Sequence, residues 1–231
     1  MHYAEYKQRD PSLVREMIET FPFAAILANG ENGPLVAEAP VTFRSGPRPA
    51  GAVEFHLARV NPVGASLAEG APVSLLFRGP DAAVSPSWFT GSFQGEAPDR
   101  SRAAPTYNYL SLVLRGRLQL LGDDALQSQI ADLVTANEPK DNGWSLDELA
   151  PDLWTAWRGV IQLYRIEIDD FELTAKFTPG EIPADRPGVV EGLRRRASRH
   201  DVMVAHFMDG ADGSAEALRT RLRALRYPPA W

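Results

Sequence analysis

Three short stretches carry the side chains that could do chemistry. Val84-Ser85-Pro86-Ser87-Trp88-Phe89 places two serines around a proline and beside two aromatic rings. Pro105-Thr106-Tyr107-Asn108-Tyr109 repeats that mixture of flat rings and polar edges further along the chain. Phe55-His56-Leu57-Ala58-Arg59-Val60-Asn61-Pro62, continuing to Ser66, offers an imidazole, a guanidinium, an amide and a hydroxyl where a strand-like run gives way to a helix-like one. A strand-to-helix loop with unpaired backbone N–H groups, an arginine and a hydroxyl suits a phosphate. Two aromatic-polar clusters beside a barrel mouth suit a planar ring held between them. Each stretch also has a plainer reading. Asn-Pro opens turns, His56 can be a hydrogen-bonded core residue, and prolines and aromatics at strand ends can simply close a barrel.

Other chemistries lose their support. Serines beside a proline suit a fixed turn rather than an attacking hydroxyl, and no GxSxG elbow occurs. The four histidines, His2, His56, His200 and His206, form no HExxH and no close pair at ligand spacing, so no metal site is expected. There is no cysteine, which removes thiolate ligands, cysteine nucleophiles and disulfides together. Neither GxGxxG after a strand nor GxxxxGK[ST] is present, so dinucleotide-binding and P-loop readings lack their signature.

The elements that must position these stretches follow from periodicity. Asp10-Pro11 opens a helix in which Leu13, Val14, Met17, Ile18 and Phe21 repeat at helical spacing. "FAAILA", the turn "NGENGP", "LVAEAPVTF" and "AVEFHL" read as successive strands, and "VGASLAEG" as a short helix ending at Gly70. "APVSLLFRG" and "AAVS" read as two strand segments parted by Gly79-Pro80. After the second aromatic cluster, "LSLVLRGRLQLL" is a long strand with a bend or bulge at Gly116. A helix capped at Asp123-Asp124 should turn Leu126, Ile130, Leu133 and Val134 inward, and "VIQLYRIEIDDFEL" is the closing strand. "TAKFTPGEIPADRP" reads as loop, and the tail as two helical pieces, "GVVEGLRRRAS" and "SAEALRTRLRALR". Consecutive strands with few long crossovers predict a mainly β fold with peripheral helices, an antiparallel barrel rather than a parallel α/β sheet.

A chain of 231 residues, 44% hydrophobic and 23% charged, can bury a sizeable core. No apolar run is long enough to span a membrane and the first residues lack a signal-peptide layout, so a cytoplasmic protein is expected. The formal net charge is −6. From Arg194 onward eight arginines face four acids, which leaves an acidic body that would repel DNA and a basic tail as the segment that could attract it. The expected division is residues 1–193 as the barrel and 194–231 as a basic helical extension.

Taken together, "FHLARVNP", "LLFRGPDAAVSPSWF", "APTYNY" before a strand ending in "RGRL", "TANEP…W" and "GVIQLYRIEI…LTAK" resemble, in order and spacing, the PaiB-type proteins, a family of FMN-binding negative transcriptional regulators. "GPxAxxSPSW" and "PTxNY" are the most specific of these, and the resemblance spans roughly residues 1 to 195. It implies a split antiparallel β-barrel of the pyridoxamine-phosphate-oxidase type, usually a homodimer with FMN in clefts where two subunits meet. Carried over by position, it sets His56, Arg59, Asn61 and Ser66 near the flavin phosphate or ribityl chain. It sets Ser85, Ser87 and Trp88 near the cleft, Thr106, Tyr107 and Asn108 beside the ring, and Lys176 as the lysine of the family's "KLSQN". Here that segment reads Lys176-Phe177-Thr178-Pro179-Gly180, which loses the amides, and the family's "PTWNY" is "PTYNY". The function implied is an FMN- or small-ligand-binding regulator, with a flavin-dependent oxidoreductase of the same barrel class as the alternative.

Overall fold

The computed structural model describes residues 4–93, 101, 103–210 and 212–226. The expectations for His2 and for the polar loop at 94–100 and 102 lie outside the described residues. Strands β1 (Lys7–Gln8), β2 (Phe23–Gly30), β3 (Gly33–Pro40), β4 (Thr42–Arg44), β5 (Ala52–Ala58), β6 (Pro72–Val84), β7 (Thr106–Leu121) and β8 (Ile161–Lys176) form one mainly antiparallel sheet among the described residues. Its order is β3-β2-β6-β7-β8-β5-β4, with β1 added to β8. The helices are α1 (Ser12–Thr20), α2 (Pro62–Ser66), α3 (Asp123–Asn137), α4 (Pro151–Val160), α5 (Arg186–Arg196), α6 (Arg199–Met208) and α7 (Ala215–Arg226).

The chain divides into two compact units, the first made of Met1–Glu16, Arg78–Ser111 and Glu172–Trp231, the second of Met17–Phe77 and Leu112–Phe171. In the second unit, alternation along β2, β7 and the middle of β8 buries Ile26, Leu114 and Ile166 completely, as period-two strands with one covered face require, whereas β5, with Phe55 fully buried, is covered on both faces over Ala52–Phe55. Gly116 does not interrupt β7: a Cβ there would lie 2.3 Å from the Glu167 carbonyl oxygen, so the glycine permits close approach to β8 rather than a bend.

In the first unit, Val84, Phe89, Val189, Leu193, Val204 and Met208 belong to one buried apolar cluster. Here β6 runs unbroken through Gly79-Pro80, where two segments were expected. The reason is local. The pairing of β6 with β2 ends at Phe77, so on that edge a proline further along costs no bond to β2. Side chains from α5 and α6 serve that edge: Arg196 Nη2 donates to the Ala83 carbonyl at 2.8 Å, and Asp81 N donates to His200 Nδ1 at 3.4 Å.

The tail holds three helices rather than two, and among the described residues five of its eight arginines are engaged with the unit's own carboxylates. Arg194 pairs with Asp209, Arg196 with Asp201, and Arg219 with Asp10. Arg223 and Arg226 both reach Glu16 on α1, a residue 5% exposed. Burial alone would raise the Glu16 carboxyl, but the two guanidinium groups outweigh it and hold the pKa below the usual carboxylate value. The expected boundary at 193/194 falls inside α5.

Candidate functional site

In the second unit, β5 and α2 carry His56, Arg59, Asn61 and Ser66. Asn61 is the N-cap of α2, its Oδ1 accepting from Val63 N at 2.9 Å, with Pro62 at the first helical position. Ser66 Oγ donates to the Pro62 carbonyl at 2.6 Å. Both therefore build the loop, which is pinned from behind by Arg59 N to the Val160 carbonyl at 2.8 Å and by Tyr164 Oη to the Gly64 carbonyl at 3.1 Å. Arg59 is exposed, with one guanidinium nitrogen on Gln162 Oε1 at 2.7 Å. His56 is half-buried. Its Nδ1 lies 2.8 Å from Gln129 Oε1, while Gln129 Nε2 donates to Thr42 Oγ1 at 3.2 Å. That chain makes Nδ1 the donor and leaves Nε2 as an acceptor in the neutral ring. Gln129, fully buried on α3, had no signal in a helix read for its apolar face.

The first unit carries Ser85, Ser87, Trp88, Thr106, Tyr107, Asn108 and Lys176, and the two aromatic-polar clusters are both within it. Ser85 caps a short 3-10 turn over Pro86–Trp88, accepting from Ser87 N at 3.2 Å, and the two hydroxyls share a hydrogen bond of 2.8 Å. The Trp88 ring packs on α5. A Cβ at Gly192 would lie 2.3 Å from Trp88 Cδ2, and Arg196 Cζ sits 5.0 Å from the ring centroid. Asn108 is 0% exposed and its carboxamide is saturated. Nδ2 donates to the Thr178 carbonyl at 3.1 Å and faces Met208 Sδ at 3.3 Å, while Oδ1 accepts from Thr178 N at 3.1 Å and Thr178 Oγ1 at 2.9 Å. Thr178, one of the positions where the segment departs from "KLSQN", is thus the partner that holds Asn108.

Lys176 and Tyr107 are different in kind. Lys176 is 4% exposed, and among the described residues its ammonium has one hydrogen bond, to Thr106 Oγ1 at 2.5 Å. The Tyr6 ring centroid is 6.0 Å away. Burial pushes this lysine's pKa below its ordinary value. Tyr107, on the same strand as Thr106, is 60% exposed.

Asp185 is a further polar centre that local sequence does not announce. It is fully buried and accepts from Gly91 N (2.8 Å), Ser92 N (2.7 Å), Ser92 Oγ (2.6 Å), Glu181 N (3.0 Å) and Ile182 N (3.2 Å). Desolvation would raise its pKa, but the bonds from Ser92, Ile182 and Gly91 outweigh that and lower it. Its donors come from segments far apart in the chain, so it ties the loop after Trp88 to the loop before α5.

An FMN molecule needs a phosphate anchor, an apolar slot, and donors for its pyrimidine edge. The residues present fit part of that list. The exposed guanidinium of Arg59 can serve a phosphate, and a buried ammonium lacking a carboxylate partner among the described residues can serve an electron-rich ring edge. Asn108 and Trp88 are spent on internal contacts.

The chain matches over residues 1–170 the model of a family described as "Putative FMN-binding domain". It is similar to the protease synthase and sporulation protein PAI 2 of Bacillus subtilis (strain 168), at 24% identity over 155 residues, 67% of this chain and 70% of that protein. Among solved structures it is similar to the flavocytochrome Anf3 from Azotobacter vinelandii, with a TM-score of 0.58 and 15% identity over 81% of this chain and 77% of that one. It is also similar to the FAD and heme binding protein from Mycobacterium smegmatis, with a TM-score of 0.51 and 17% identity over 78% of each chain. These likenesses, with the strand order above, make the fold a mainly antiparallel split barrel.

Proposed function

The chain belongs to the FMN-binding family whose model it matches, and on that premise we propose that it binds FMN as a cytoplasmic, homodimeric regulatory protein of the PaiB type. The observation that carries the reading is the Lys176 ammonium, taken out of water and bonded only to Thr106 Oγ1 among the described residues. A buried cation without a counter-charge is costly unless something else completes its shell, and a flavin offers acceptors on its ring edge. Thr106 and the exposed Tyr107 ring stand beside it in sequence, and Ser85 and Ser87 complete the polar set of that unit. Trp88 and Asn108 act by fixing α5 and the segment after β8. The β5–α2 loop keeps His56, Arg59, Asn61 and Ser66 as the phosphate and ribityl candidates named by the family resemblance. Bound FMN would supply a redox-active, light-absorbing ring; the chain's own part is to hold and orient it.

Three further observations bear on partners. Leu153, Trp157 and Val160 on α4 are exposed, as is Val60 on the loop bonded to Val160; an apolar face of this kind supports self-association. No helix among the described residues is long and apolar enough to cross a membrane. The ion pairs that engage Arg194, Arg196, Arg219, Arg223 and Arg226 favour a structural use of the tail over contact with DNA. The test is an absorption titration of the purified chain with FMN, run beside sedimentation analysis. A saturable, red-shifted flavin band on a dimer supports the reading. Free-flavin spectra throughout, at any FMN concentration, overturn it.

A further inference from the structure

A cavity of about 370 Å³ lies wholly within the first unit, between the end of β8, α6 and the start of α7. Its volume is in the range of small-molecule pockets. The apolar lining includes Phe177 and Phe207, whose rings are parallel within 4° with centroids 5.1 Å apart, together with Tyr6, Ala217 and Leu218. Lys176 is not itself a lining residue, although Tyr6, whose ring centroid is 6.0 Å from the Lys176 ammonium, is.

The polar groups of the rim are unevenly committed. Arg221 lines the cavity and uses one guanidinium nitrogen on the Asp209 carbonyl, which fixes its direction. Arg186 adds a second positive charge. Of the two rim carboxylates, Asp212 already accepts from Ser214 N at 2.8 Å, and Glu5 stands at the exposed edge. The walls are held before any ligand arrives: Gln8 Nε2 donates to the Gly213 carbonyl at 3.3 Å, and Arg219 ties α7 to Asp10 at 2.8 Å and to Ser12 Oγ at 2.6 Å. A stacked aromatic pair in the lining, a guanidinium at the rim and preset walls define a ligand by its chemistry.

We propose that this cavity is a second ligand site, separate from the flavin contact, for a small planar aromatic acid whose ring lies along Phe177 and Phe207 and whose carboxylate meets Arg221. It goes beyond the flavin reading and does not depend on it. Calorimetric titration with 2-naphthoate, and with the uncharged 2-naphthalenemethanol, tests it on the full chain. The expected result is one saturable naphthoate site per chain. Ala217→Phe, which fills the hollow, should weaken both probes about tenfold or more, whereas Arg221→Gln should weaken naphthoate by about that factor and leave the alcohol nearly unchanged. Thermal unfolding of each variant checks that it folds, and Arg221→Gln, which leaves the core untouched, carries the test if Ala217→Phe does not. Absence of saturable naphthoate binding, equal binding by folded Ala217→Phe, or equal loss of both probes in Arg221→Gln would each overturn the proposal. FMN titration of the same variants separates the two readings: flavin binding lost together with naphthoate in folded Ala217→Phe would make the cavity the flavin site and end the claim of a second one. Naphthoate binding without any flavin binding would leave this proposal standing alone.

Discussion

Replacing Lys176 by methionine separates a ligand-holding lysine from a structural one, because the two roles predict opposite signs. Methionine is close in length and needs no hydration. In the ligand-free chain the change removes one hydrogen bond, to Thr106 Oγ1, worth about 1 kcal/mol net. It also removes the standing cost of an ammonium that is 4% exposed and has no carboxylate beside it among the described residues. The thermal midpoint of Lys176→Met should therefore equal or exceed that of the parent. Flavin affinity should move the other way: a hydrogen bond to a charged donor contributes about 1.5–3 kcal/mol, so the FMN dissociation constant should rise about 10- to 150-fold. The pH dependence supplies a third sign. Because the folded pKa of Lys176 lies below the ordinary lysine value, the unfolded chain binds the proton more tightly between the two values, and stability rises with pH across that window. The lysine's cost is complete below the lowered pKa and lifts as pH rises from there toward 10.5. The stability gap between variant and parent should thus narrow in alkaline buffer. Flavin absorption titration and calorimetric scans from neutral to alkaline pH read all three. A variant that unfolds at lower temperature yet binds FMN as tightly as the parent would refute the reasoning.

Asn108→Ala removes both acceptor bonds to Thr178 from a fully buried position, and should cost about 3 kcal/mol, seen as a lowered urea midpoint. Gly192→Ala drives a methyl into the Trp88 ring and should cost about 1–3 kcal/mol in the same assay, whereas Gly159→Ala, within α4 and with open space around it, should not. Asp201, held by the Arg196 side chain, has its pKa lowered to about 2; since the folded value lies below the unfolded 3.8, its contribution of about 2 kcal/mol is present above pH 3.8 and lost as pH falls through about 2. Acid unfolding of Asp201→Asn should lack that component.

Strands were legible wherever one face is buried, since alternation then survives in the residue types; β2, β5 and β8 were all anticipated within a few residues. Failures have particular causes. Gly79-Pro80 looked like a break because the sequence does not reveal that β6 has no β2 partner beyond Phe77. Helix α4 leaves Leu153, Trp157 and Val160 exposed, so no inward face announced it, and α6 went unread inside a tail noticed mainly for its arginines. In the site, the capping roles of Asn61 and Ser85 were within reach of local rules, because the accepting cap and its N–H donor lie two residues apart. The partnerships of His56 with Gln129, Asn108 with Thr178, and Asp185 with Gly91 and Ser92 were not, because each joins segments distant in the chain.

The grip of Arg223 and Arg226 on Glu16 makes α1 and α7 depend on one another. Glu16 is synthesised well before Arg223 and Arg226, so its carboxylate waits for these counter-charges until α7 has been made. Deleting α7 would take two guanidinium groups away from Glu16 and loosen α1, so damage to one helix would be felt in another 207–210 positions earlier in the chain.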